Sequence, residues 1–111
     1  MYKGGDIVLI AFPFTDFTNF KIRPAVVVNE KKDDIIVIGI FSKLPEILDD
    51  SWLHLSENES WFIETGLKKS SVIKTEKIVV IHSSIVKKKL GKLPDDIFIM
   101  VKEKLRNTLN I

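Results

Sequence analysis

The sequence contains no cysteine and no long apolar run. Without cysteine the chain can form no disulfide, can bind no metal through thiolates and has no cysteine nucleophile. This composition is typical of a reducing compartment, so we predict a cytoplasmic protein. The longest apolar run, from Ile35 to Phe41, is far shorter than the roughly 18 residues that suggest a transmembrane helix. We therefore expect no membrane span.

The familiar catalytic and metal-binding motifs are also missing. The sequence has no glycine-rich phosphate loop, zinc signature or nucleophile elbow, and its two histidines, His54 and His82, lack the spacing of metal ligands. Three acidic pairs, at residues 33–34, 49–50 and 95–96, occupy predicted turns or a predicted helix start. We expect neither a metal nor a cofactor, and the residues alone indicate a soluble β-rich domain.

The charge is unevenly distributed along a single predicted domain, residues 1–111. Residues 1–66 carry 6 lysines and arginines against 11 acidic residues, whereas residues 67–111 carry 11 against 4. The densest basic positions are Lys68–Lys69 and Lys87–Lys89. They fit a surface that binds a polyanion and fit an ordinary solvated surface equally well.

The first half of the chain predicts strands. Asp6–Phe12 and Ala25–Asn29 are rich in strand-forming residues, and Ile35–Ser42 is apolar over most of its length, as buried strands are. The polar residues 31–34 predict the turn of a hairpin at the core. Pro24 fixes its own φ and restricts the preceding residue to an extended backbone, so a strand can begin at this proline.

The second half predicts further strands and one helix. We expect a short helical turn within residues 44–50, a strand near Trp52–Leu55, and two short strands at residues 71–75 and 77–82. Pro94, followed by two aspartates, predicts the start of the helix. The predicted fold class is β-rich α+β, with a strongly bent sheet or partly open barrel and a C-terminal helix.

The order of five segments carries a more specific signal. They read GDIVLIAFPFTD (5–16), RPAVVVN (23–29), IFSK (40–43), ETGLKKSSVIKTEKIVVI (64–81) and GKLPDD (91–96). Together they resemble the MazF/PemK family of toxin endoribonucleases over nearly the whole chain. The resemblance implies an SH3-like barrel with a C-terminal helix that forms homodimers. It also implies an antitoxin protein as partner in a type II toxin-antitoxin system.

The activity that the resemblance implies is metal-independent cleavage of single-stranded RNA, leaving 2′,3′-cyclic phosphate and 5′-hydroxyl ends. The catalytic arginine of the family's arginine-proline motif matches Arg23. A guanidinium stays protonated at neutral pH and presents a planar fork of donors, so we expect it to stabilise the phosphorane oxygens rather than act as a base. Without the resemblance, an ion pair of Arg23 with Asp6 or Asp16 is the simpler interpretation.

The sequence departs from the family at one catalytic position. Members usually carry a threonine or serine near the end of the third strand, and the matching residue here is Phe41, followed by Ser42. Adjacent strand residues point to opposite faces, so Ser42 can supply the hydroxyl only where the strand ends or bulges. We name Ser42 as the second catalytic candidate and Lys43 as a phosphate contact. Phe41 either stacks on a base or packs in the core.

The remaining RNA-binding candidates are Thr15, Asn19, Lys21 and Glu76. The first three belong to the loop at residues 15–22, which matches the mobile loop of such toxins, and Glu76 matches an acidic position in the family's corresponding strand. Ordinary solvation, or a salt bridge for Glu76, explains each of them equally well.

Two alternative functions stay open. One is a catalytically impaired relative that still binds RNA or antitoxin, which Phe41 favours. The other is a DNA gyrase poison of the same fold class, against which the arginine-proline motif argues.

Overall fold

The computed structural model describes residues 1–13 and 18–111. Within these ranges all strands pair antiparallel in a single six-stranded sheet of order β4-β5-β3-β2-β1-β6. The elements are β1 (Asp6–Pro13), β2 (Phe20–Lys31), β3 (Asp34–Phe41), β4 (Trp52–Leu55), a 3₁₀ turn (Phe62–Thr65), β5 (Ser71–His82), a second 3₁₀ turn (Ser83–Ile85), β6 (Lys88–Lys92) and α1 (Asp95–Leu109). The curled antiparallel sheet with one C-terminal helix confirms the predicted fold class.

The sheet is buried on both faces. Alternate residues of the central strands belong to different apolar clusters: Val26 and Ile38 pack with Val101 and Leu105 of α1 in what we call the helix-side cluster. Their neighbours in sequence, including Val27 and Val37, pack on the other face in what we call the far-side cluster. Because successive side chains point to opposite faces of a strand, two buried faces require strands without a polar side. This explains the nearly continuous apolar sequence of β3.

The second strand is longer than predicted. We expected a strand at Ala25–Asn29 with Pro24 at its edge, but β2 begins at Phe20, so Lys21 and Ile22 lie in a strand rather than in the predicted loop. Residues 20–24 pair with β1, while pairing with β3 starts only at Ala25, opposite Gly39. Pro24 therefore sits where β2 lacks a neighbour on one side, the setting in which a strand proline is tolerated.

The two short strands predicted after Gly66 form one bent strand, β5. Its register against β3 shifts between the pairs Ile38–Ile78 and Ile40–Ile73, so several residues of β5 lack a direct partner on β3. Thr75 lies in this irregular part and is fully buried; its hydroxyl is 2.6 Å from the carbonyl oxygen of Ser51 and 2.5 Å from the hydroxyl of Thr108 in α1. These hydrogen bonds join the bend of β5 to the helix and to the start of β4.

The helical turn predicted within residues 44–50 is wrong, since this segment has no helix. The Asp49 carboxylate accepts hydrogen bonds from the backbone N–H and the hydroxyl of Ser51, at 2.9 and 2.6 Å. An aspartate that bonds the backbone two residues ahead stabilises a turn in place of a helix. The chain then enters β4, as predicted.

The predicted C-terminal helix is confirmed. It begins directly after Pro94 and ends at Leu109, and the next residue, Asn110, adopts the left-handed conformation common after helix ends. Val101 and Leu105 form its buried stripe. Neither this helix nor any other in the described ranges is long and apolar enough to cross a membrane.

The edge strand β6 was not predicted, because the lysines of its first half suggested a solvated surface. It is paired to β1, and within it Gly91 lies directly against the first 3₁₀ turn. Gly66, which follows that 3₁₀ turn, approaches β6 equally closely, since a Cβ there would lie 2.0 Å from the carbonyl oxygen of Leu90. The two backbones approach so closely that only glycine fits at both positions.

Asp6 at the start of β1 is buried and pairs with β6. Its Oδ1 lies 3.2 Å from the Nζ of Lys89, and its Oδ2 accepts a hydrogen bond from the backbone N–H of Lys3 at 3.0 Å. The suggested ion pair between Asp6 and Arg23 is therefore wrong, because Asp6 is committed to a lysine on the neighbouring edge strand. Asp16, the other suggested partner, lies outside the described residues.

Lys89→Ala is expected to lower the free energy of unfolding by about 1–2 kcal/mol. The Oδ1 of Asp6 is buried and has no hydrogen-bond donor among the described residues, so losing Lys89 leaves a buried carboxylate unpaired. The lysine side chain is 46% exposed, which keeps the cost below that of a fully buried pair. Urea denaturation measures the change, with the exposed Lys88→Ala on the same strand as control. Equal stability of the two variants would contradict the importance of the pair.

Candidate functional site

A pocket of about 330 Å³ opens beside the start of β2, on the side of the sheet that faces α1. Its apolar lining includes Leu67 and Leu90, which pack against the helix-side cluster. Five of its described lining residues are basic and none is acidic. The full lining is Leu9, Lys21, Ile22, Arg23, Pro24, Ile40, Ser42, Gly66, Leu67, Lys68, Lys69, Ser71, Lys88 and Leu90. The pocket thus joins both basic segments of the sequence with the arginine-proline motif.

Arg23 lies at the boundary between this pocket and the far side of the sheet. Its guanidinium carbon is 4.4 Å from the centre of the Phe41 ring. The contact follows from the register: Ala25 pairs with Gly39, so continuing the ladder brings Arg23 opposite Phe41 on the same face. Partial burial lowers the pKa of Arg23 from its usual value, but a guanidinium starts from so high a value that it stays charged at neutral pH.

Phe41 also contacts residues other than Arg23. Its ring meets that of Phe12 edge to face, with centres 6.1 Å apart and planes at 80°. Gly39 provides the room, because a Cβ there would lie 2.8 Å from Phe41 and 3.0 Å from Phe12. Phe41 thus packs against the far-side cluster and against the guanidinium.

Ser42 follows the last residue of β3 and is exposed. It lines the same pocket as Arg23 and Lys21, so the structure brings these three predicted site residues together. Asn19 and Lys43 are also exposed but do not line the pocket. Thr15 lies outside the described residues.

Glu76 lies apart from the pocket, on β5. Both of its carboxylate oxygens accept from the indole N–H of Trp52, at 2.8 and 3.0 Å. The Trp52 ring in turn lies 4.5 Å from the Nζ of Lys74, which is also 4.9 Å from the Phe41 ring. Sequence reasoning missed Lys74 and Trp52, because their contact depends on the pairing of β4 with β5 in a region read as two separate strands.

Potential metal ligands are scattered in the described part of the chain, where no group of three or more histidine, aspartate or glutamate side chains is close enough to hold an ion. The described chemistry of the pocket is therefore that of cations, hydroxyls and apolar surface. Such a lining attracts an anionic ligand that also presents flat or apolar groups.

Comparison with known protein families shows which family this chain belongs to. A family model described as the PemK-like, MazF-like toxin of type II toxin-antitoxin systems matches residues 3–109. The chain belongs to this family. The match spans all the described residues that line the pocket of this MazF-like toxin, including the arginine-proline motif.

Solved structures of toxins share the fold of this MazF-like chain. A mycobacterial endoribonuclease in complex with its cognate antitoxin superposes with a TM-score of 0.74 at 10% identity, covering 100% of this chain and 97% of that one. MazF from Deinococcus radiodurans gives 0.74 at 16% identity, with the same coverage. Toxin MazF-mt6 of Mycobacterium tuberculosis gives 0.69 at 13% identity, covering 94% and 97%. Among curated proteins, none matches by sequence.

Proposed function

We propose that this toxin is an endoribonuclease that cleaves single-stranded RNA without a metal ion and is neutralised by an antitoxin protein. The observation that carries the proposal is the placement of Arg23, whose guanidinium is fixed against Phe41 at a pocket that four lysines also line. Membership of the MazF-like family supports it, as does the endoribonuclease activity named for a structural neighbour. The antitoxin bound to that neighbour supports the proposed partner, and a homodimer is proposed from the family alone.

The proposed reaction is an internal transesterification. The ribose 2′-oxygen bonds to the adjacent phosphorus and loses its proton, while the bond from phosphorus to the 5′-oxygen breaks and that oxygen gains a proton. Negative charge grows on the two non-bridging oxygens, to which the guanidinium of Arg23 donates hydrogen bonds. Ser42 lines the pocket beside it and is proposed to donate a further hydrogen bond. The products carry a 2′,3′-cyclic phosphate and a 5′-hydroxyl.

A second candidate function rests on Phe41. The resemblance matches Phe41 to the position at which the family usually carries a hydroxyl, and the Phe41 ring packs against Arg23. A protein that binds RNA or antitoxin without cleaving is therefore the alternative proposal. The two proposals differ in one measurable outcome, the appearance of new RNA ends.

The test is incubation of a long unstructured RNA with the purified protein in excess EDTA, followed by chemical identification of the new ends. Fragments with 5′-hydroxyl and 2′,3′-cyclic phosphate ends are expected. Intact RNA of varied sequence, together with retained RNA binding, would instead establish the non-cleaving alternative. A requirement for added divalent metal would overturn the metal-independent mechanism.

The basic pocket predicts a salt-dependent affinity. Lys68 and Lys69 both line it, and each contact with a phosphate of a single strand contributes about 0.7 to the slope of log affinity against log salt. A double change of both lysines to methionine is expected to reduce that slope by about 1.4. The probe is a strand that lacks 2′-hydroxyls and so resists cleavage. The matched control changes Lys31 and Lys32 to methionine; both are exposed, at the last residue of β2 and the first of the turn after it. An equal effect of both pairs would contradict the assignment.

A further inference from the structure

A row of alternating aromatic and cationic side chains crosses the end of the sheet. It consists of Trp52 on β4, Lys74 on β5, Phe41 on β3 and Arg23 on β2. Trp52 and Lys74 are direct cross-strand partners. The three ring-to-cation distances along the row are 4.5, 4.9 and 4.4 Å. We call these four residues the cation–aromatic row.

The row places two positive charges close together. Lys74 and Arg23 both lie over the ring of Phe41, so their charged groups cannot be farther apart than the sum of the two distances, about 9 Å. Among the described residues, no ion pair is found between a carboxylate and either cation of the row, and the buried carboxylate of Asp6 pairs with Lys89 instead. The Glu76 carboxylate accepts from Trp52 instead. Two neighbouring cations with no paired carboxylate favour an anionic ligand that contacts both.

Aromatic contacts suit this purpose better than ion pairs would. A ring attracts a cation electrostatically through its face, whereas a carboxylate would accept hydrogen bonds from it. The ammonium of Lys74 and the guanidinium of Arg23 therefore keep N–H donors available for a ligand. Glu76 fixes the indole of Trp52, and Trp52 and Phe41 both restrain Lys74. A cation restrained before binding loses less side-chain entropy when the ligand arrives.

We propose that Lys74 is a second phosphate-binding residue of this toxin and binds the phosphate next to the one at Arg23. The inference rests on the proposed function, since it takes Arg23 to bind the scissile phosphate. Successive phosphates of a single strand are spaced closely enough for both cations to be used together. The strand then passes from the basic pocket, around Arg23, onto the far side of the sheet. Contact with a phosphate carries no sequence information, so Lys74 contributes affinity without choosing the cleavage sequence.

The test compares Lys74→Met with Lys102→Met. Methionine keeps much of the lysine stem, so packing against the rings is preserved while the charge is lost. Lys102 is a matched control, because its Nζ also lies 4.9 Å from an aromatic ring, that of Phe98, but on α1. Binding is measured with a strand lacking 2′-hydroxyls at several salt concentrations, and cleavage with the corresponding RNA.

Lys74→Met is expected to weaken binding about fivefold and to reduce the salt slope by about 0.7, equally for strands of different sequence. KM is expected to rise while kcat changes less than twofold. Lys74→Arg is expected to restore binding, because it keeps the charge. A merely structural role would instead lower the thermal midpoint and leave the salt slope unchanged.

Two failures are distinguishable. If wild-type protein binds and cleaves RNA but Lys74→Met has the affinity and salt slope of Lys102→Met, the assignment of Lys74 is overturned and the proposed function stands. If the wild-type protein neither binds nor cleaves RNA, the proposed function fails, and this inference fails with it.

Discussion

Arg23→Ala is expected to reduce the rate of RNA cleavage at saturating substrate by at least about 100-fold. The guanidinium is the described group whose position is fixed at the pocket by a ring contact, and alanine removes every donor that it offers to the phosphorane. The loss falls mainly on kcat, because charge on the non-bridging oxygens grows in the transition state. Single-turnover cleavage in EDTA measures the chemical step directly.

Two variants make this result specific. Arg106→Ala removes the chain's other arginine, which lies exposed on α1, and is expected to cleave at the wild-type rate. Arg23→Lys keeps the charge but loses the planar fork, so an intermediate rate is expected. A rate for Arg23→Ala within severalfold of that for Arg106→Ala would show that the catalytic group lies elsewhere.

The strands at the centre of the fold could be predicted because their sequence has a local cause. Ile35–Phe41 is apolar on both faces, and the structure buries both faces of β3. The helix could be predicted from Pro94 and the acidic residues that follow it. By contrast, β6 packs through Gly66 and Gly91 against a segment that is distant in sequence, and the basic sequence of the strand does not reveal this contact.

The candidate site was only partly predictable, for the same reason. Arg23 and Ser42 were found through the resemblance, and the structure adds that both line one pocket. The role of Phe41 depends on the register of β2 against β3, which places its ring beneath the guanidinium. The position of Lys74 between its two rings depends on the order β4-β5-β3 in the sheet. No sequence motif marks Lys74, because the two rings beside it come from other strands.

Gly91→Ala is expected to lower the free energy of unfolding by about 3 kcal/mol or more. A Cβ at this position would lie 2.1 Å from the carbonyl oxygen of Glu64 and 2.6 Å from the carbonyl carbon of Thr65. Both are backbone atoms, so no side-chain rotation can relieve the clash, and β6 must move away from the 3₁₀ turn. Urea denaturation measures the loss, with Lys92→Ala, an exposed change at the next residue, as control.

The same substitution is expected to weaken RNA binding under conditions where the protein remains folded. Gly66 and Leu90 line the basic pocket, and their close contact joins the segment that carries Lys68 and Lys69 to the strand that carries Lys88. Moving β6 outward separates these lysines, and a strand of fixed phosphate spacing can then no longer contact all of them. Unchanged stability and unchanged affinity for the uncleavable strand would contradict the packing assigned to this edge. Loss of stability without loss of affinity would mean that the lysines act independently of their spacing.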